Sequence, residues 1–128
     1  MNGKTFSIWA PPLIYVPAIF VLSIRPMPDV IPNNMDKLIH IAAYFLMGLL
    51  FTRTLVRGMH IDRKKTAIAI ALFLSILLGA LIEVAQYFIP YRDASLLDMA
   101  ANGAGAFIGV FLYIVITNPY KGQDQASS

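Results

Sequence analysis

The sequence contains no cysteine, which excludes disulfide frameworks, thiolate metal sites and cysteine nucleophiles and leaves the redox compartment open. Charge is scarce as well: 13% of the 128 residues are Asp, Glu, Lys or Arg, against 58% hydrophobic. A soluble domain of that composition would have too little polar surface to cover itself, so the balance points to an integral membrane protein. Spare length is also missing. A spanning helix uses about 20 residues, and four of them with short connections leave no room for a separate soluble domain.

Four apolar runs are present. They predict an all-α bundle of four transmembrane helices within one domain, residues 1–120, with spans at about 8–24, 37–55, 66–89 and 98–117. The first contains Pro11, Pro12 and Pro17, tolerable where neighbouring helices re-satisfy the freed carbonyls. It ends in Ser23, Ile24 and Arg25 without a small-x-small cleavage pattern, so it reads as a retained span and not as a signal peptide. Asn34 and Asp36 suit the start of the second helix, and Pro90 closes the third. The polar tail, 121–128, is expected to be disordered.

Lysine and arginine set the expected orientation, because cytoplasmic connections carry their excess. With both termini in the cytoplasm, Lys4, Arg53, Arg57, Arg63, Lys64, Lys65 and Lys121 lie inside, and Arg25, Lys37 and Arg92 lie outside. The basic second loop reads as a topological determinant, and no nucleic-acid partner is expected from it.

This arrangement gathers the unusual polar residues at the outer membrane face. The second span brings Asp36, Lys37 and His40; the third brings Glu83 and Gln86, followed by Arg92; the fourth brings Ser95, Asp98 and Asn102. At about 1.5 Å per residue, Glu83 sits about 10 Å below Pro90, and His40 and Asn102 about 6 Å inside their helix starts. Asp36, His40 and Tyr44 share one helix face by their spacing of four; Glu83 and Gln86 are three apart, and Asp98 and Asn102 four apart. Below Asn102 the stripe continues as Gly105 and Gly109, a small-xxx-small pattern suited to close helix approach.

Two segments resemble the VanZ-like membrane proteins, a family named for a component of a glycopeptide-resistance cluster. The first is Asp36-Lys37-Leu38-Ile39-His40 followed by Tyr44 and Gly48, which is similar to a DK-x-x-H...Y-x-x-x-G start of a span. The second is Glu83, Gln86, Pro90, Arg92, Ser95, Asp98, Asn102, Gly105 and Gly109, which is similar to the family's E-x-x-Q...P-x-R...S-x-x-D-x-x-x-N-x-x-G-x-x-x-G string. The resemblance covers roughly residues 36 to 109. It implies a cytoplasmic-membrane protein whose founding relative reduces susceptibility to teicoplanin-type lipoglycopeptides. Such drugs act outside the membrane on lipid-linked cell-wall precursors.

Three classes of function stay open at this point. In a binding module, Arg92 and Lys37 attract an anionic headgroup while His40, Gln86 and Asn102 supply hydrogen bonds, the partners being membrane lipids, a lipid-linked cell-wall precursor or a lipoglycopeptide. In an intramembrane enzyme, Glu83 or His40 is the candidate catalytic base. In a structural protein, the same groups pair only with one another. Asp36, His40, Glu83 and Asp98 are metal-ligating types, but no HExxH or comparable compact motif accompanies them, so neither metal nor cofactor is expected. Glu83 and His40 resist the structural reading, because an ionisable group inside the apolar layer costs about 2.5–3.5 kcal/mol on insertion scales. Tyr87, Phe88 and Tyr91 read as an interfacial aromatic belt, with an entrance for an acyl chain as the alternative.

Overall fold

The computed structural model describes residues 3–26, 32–58 and 64–117, and among them the chain forms four helices and no strand. They are α1 (Gly3–Ile24), α2 (Asn33–Gly58), α3 (Lys64–Tyr87) and α4 (Leu96–Thr117). Each is long and apolar enough to cross a membrane. The polar tail at 121–128 lies outside the described residues.

The helices start earlier than the apolar runs suggest, at Gly3, Asn33, Lys64 and Leu96, because the first turn tolerates polar residues whose side chains reach the interface. By contrast α3 stops at Tyr87, short of the expected 89. Pro90 disfavours helix at the residue before it, and the chain turns instead, with Phe88 N–H donating to Ala85 O (3.3 Å) and Ile89 N–H to Gln86 O (2.9 Å).

Three prolines lie inside α1 without ending it. Pro12 has no N–H to offer the carbonyl of Ile8, and the Thr54 hydroxyl of α2 donates to that carbonyl at 3.0 Å. The Tyr15 hydroxyl ties the middle of α1 to Ala43 O at 2.8 Å. At its last turn, where helical carbonyls have no partner of their own, Ser23 O accepts from Gln86 Nε2 (2.9 Å) and Arg92 Nε (3.0 Å), and Ile24 O accepts from the Tyr91 hydroxyl (3.1 Å).

Burial runs opposite to that of a soluble domain. Large apolar side chains such as Leu13, Ile14, Phe73, Phe107 and Ile116 are exposed around the bundle, whereas His40, Thr52, Thr54, Ser75, Glu83, Gln86, Asp98 and Asn102 are buried. In water that pattern would be unstable. In lipid it is favourable, since the apolar shell faces hydrocarbon and polar groups pair inside. Thr52 and Ser75 satisfy themselves on Gly48 O (2.7 Å) and Ala71 O (2.8 Å) of their own helices.

The closest helix pair is α2 with α4, and small residues make it so. A Cβ on Gly48 would strike the backbone of Ala106, one on Gly105 the backbone of Ile41, and one on Gly109 the carbonyl of Phe45. No side chain fits there. Tyr44, Met47, Ile82 and Ala106 form the core beside this seam. Successive helices alternate in direction, so the end of α1, the start of α2, the end of α3 and the start of α4 meet at one end of the bundle.

Candidate functional site

At that end a continuous line of polar contacts crosses three helices. Asp36 and His40 stand one turn apart on α2, with Asp36 Oδ1 3.6 Å from His40 Nε2. His40 Nδ1 is 2.9 Å from Asn102 Oδ1 on α4, and Asn102 Nδ2 donates to Glu83 Oε1 on α3 at 3.5 Å. The second oxygen of Glu83 accepts from the Ser95 N–H at 3.3 Å. His40, Glu83, Asp98 and Asn102 are all buried, with Asn102 at 1% and Glu83 at 3% exposure.

Donor and acceptor roles follow from this order. The Asn102 amide nitrogen faces Glu83, so its carbonyl oxygen faces His40 and can only accept. His40 Nδ1 therefore carries the hydrogen. In the neutral ring the lone pair is then on Nε2, the atom that faces Asp36.

Two further residues sit where the line passes. Tyr44 is 1% exposed, and Gly79 of α3 lies against it: a Cβ at Gly79 would come within 3.1 Å of the Tyr44 ring and 3.2 Å of Asn102 Cβ. Among the described residues, three buried side-chain oxygens have no hydrogen-bond partner, and all belong to this end: Asp36 Oδ1, Tyr44 Oη and Asp98 Oδ1. Buried polar atoms are satisfied in the great majority of cases, so three together set this end apart from the rest of the described bundle. One ligand atom each from Asp36, His40 and Asp98 lies within 4.8 Å of the others.

Cavities flank the cluster on both sides. One of about 110 Å³ lies between α1 and α2, with Asp36, His40, Tyr44 and Arg92 as its polar lining and Ile19, Leu22, Ile39 and Ala43 as its apolar lining. The other, of about 220 Å³, is lined by Glu83, Val84, Tyr87, Ala94, Ser95, Leu96 and Met99.

The residues expected at the site do not all play one part. Asp36, His40, Tyr44, Glu83, Asp98 and Asn102 come together. Gln86 and Arg92 stand beside them and anchor the end of α1 through Ser23 O, while Arg92 also lines the smaller cavity. Ser95 starts α4, its hydroxyl accepting from the Leu97 N–H at 3.1 Å. Lys37 is half-buried and takes no part in these contacts among the described residues; as the neighbour of Asp36 it points about 100° away around the helix. Gly105 and Gly109 bring α4 against α2 and so hold Asn102 at His40.

Sequence reasoning missed Gly79 and the Ser23 carbonyl. Gly79 lies four residues before Glu83, on its face of the helix, which was a usable signal. A backbone carbonyl leaves none.

The fold and this buried cluster define a multi-pass α-helical membrane protein with an intramembrane polar site at one end. The chain belongs to the VanZ/LLP1 family, whose family model matches residues 5–117 and thus takes in the first span as well as the two polar segments. No curated protein matches it, and no solved structure does.

Proposed function

We propose that this end of the bundle faces outward across the cytoplasmic membrane and binds the anionic headgroup of a lipid-linked or lipophilic ligand. Carrying the reading is the smaller cavity, where Arg92, His40 and the unpartnered Tyr44 hydroxyl, with the Asp36 carboxylate beside them, share the lining with Ile19, Leu22 and Ile39. A phosphate or carboxylate suits the first wall, and the start of an acyl or prenyl chain suits the second. Leu22 and Ile39 are exposed on the bundle's outer surface, so such a ligand would enter sideways from the bilayer. Membership of the VanZ/LLP1 family supports a link to teicoplanin-type resistance.

Titration of a polyprenyl diphosphate into the full chain in detergent tests the reading. Arg92→Ala is expected to weaken binding roughly 10- to 100-fold, the equivalent of one charge-assisted hydrogen bond, and to flatten its salt dependence. Gln86 still holds Ser23 in that variant, so α1 should stay docked. In a Gram-positive host the parent chain should lower susceptibility to teicoplanin more than to vancomycin, and Arg92→Ala should not. Equal affinity of parent and variant, or absent binding by both, would remove the headgroup reading.

Orientation has its own test. Cysteines introduced at Asn33 and Ala94 should react with an impermeant thiol reagent in intact cells, and one at Met59 should not. Labelling at Met59 alone would reverse the topology and turn the site inward.

A further inference from the structure

We propose that Asp36, His40 and Asp98 form a binding site for a divalent first-row transition cation, of the zinc or manganese class. The side chains come from two helices, and one ligand atom of each lies within 4.8 Å of the others. Asp98 is 6% exposed, and its Oδ1 has no hydrogen-bond partner; neither has Asp36 Oδ1. A buried carboxylate oxygen needs a donor or a cation, and each of these two carboxylates sets one oxygen within 4.8 Å of the other's and of a His40 ring nitrogen.

His40 completes the set through its tautomer. With Nδ1–H held by Asn102 Oδ1 at 2.9 Å, Nε2 presents its lone pair on the side of Asp36. A ligating histidine usually donates its other ring N–H to an oxygen in this way, which fixes the ring and raises its basicity. Two lone-pair atoms, Nε2 and Asp36 Oδ1, otherwise face each other at 3.6 Å with nothing to hold them.

Metal–ligand bonds of about 2.0–2.2 Å place neighbouring ligand atoms roughly 3–4.4 Å apart, so closing the site takes shifts under about 1 Å. An imidazole with two carboxylates favours zinc or manganese over magnesium and calcium, which prefer oxygen alone. Three protein ligands leave a coordination position for an exogenous oxygen. Asp36 and His40 sit one turn apart on α2, the spacing of the two histidines in HExxH, and Asp98 arrives from a different helix, so the sequence pairs two of the ligands and gives no spacing for the third.

The cation site does not depend on the headgroup reading, because it is measured with metal alone. The untagged full chain in detergent, stripped with a chelator, is titrated calorimetrically with Zn²⁺, and Mn²⁺ binding is followed by electron paramagnetic resonance. Expected is one saturable Zn²⁺ per chain, a raised melting temperature with metal, and no displacement by equimolar Mg²⁺. Asp98→Asn preserves shape and should bind at least 10-fold more weakly with no metal-induced rise in melting temperature. His40→Gln serves as the second variant should Asp98→Asn fail to fold. Absent saturable binding by the parent chain, or equal binding by the variant, would overturn the site.

Discussion

Gly109→Leu is expected to yield almost no folded protein in detergent, whereas Gly103→Leu on the same helix should melt close to the parent. At Gly109 an added Cβ meets the Phe45 carbonyl and comes within 3.0 Å of Leu49 N, both of them backbone atoms of α2 that cannot rotate away. At Gly103 nothing lies within 4 Å. Overpacking by one or two methylenes commonly costs about 1–3 kcal/mol when side chains can adjust, and here α2 itself must move. That displacement separates His40 from Asn102, so any folded fraction should also lose ligand binding. Size-exclusion profiles and thermal melts of the two variants decide the matter. Equal melting of both would mean that α2 and α4 do not pack through this seam.

Glu83→Gln is expected to fold and insert like the parent and to lose function. The substitution retains shape and one carbonyl acceptor, which takes the hydrogen bond of either the Ser95 N–H or the Asn102 amide N–H and leaves the other donor facing the new NH2 group. Interhelical hydrogen bonds in membranes average only ~0.6 kcal/mol, so the shift in stability should be small. What disappears is the carboxyl group whose oxygen lies 4.0 Å from His40 Nδ1. Glu83→Ala provides the contrast: it strands the buried Asn102 amide and the part-buried Ser95 N–H, at a cost of about 1–3 kcal/mol, and should lower the melting temperature clearly. Unchanged headgroup binding and teicoplanin susceptibility in Glu83→Gln would assign Glu83 to bundle cohesion alone.

Both expectations draw on a site that was legible in part. Spacing placed Asp36, His40 and Tyr44 on one face, Glu83 with Gln86, and Asp98 with Asn102, and the structure assembles a cluster from these three sets. Gln86 and Ser95 illustrate the limit. Each is a polar residue at the expected face, yet Gln86 spends its amide on the end of α1 and Ser95 its hydroxyl on the start of α4. A sequence shows that a polar side chain is present near the interface; whether a backbone group claims it depends on which helix end lies opposite.

Composition and periodicity by themselves determined the membrane class, the four helices and the faces that turn inward, because helix formation in lipid and the 3.6-residue repeat are local consequences of residue type. Only the tertiary structure decided that α4 seats against α2, that Thr54 relieves the carbonyl freed by Pro12, and that Asp98 meets Asp36 and His40. Those outcomes depend on rotation and depth of one helix against another, set by contacts between residues as far apart as Thr54 and Ile8 or His40 and Asn102. No local pattern encodes them, since any of several inward-facing registers would bury the same apolar and polar stripes.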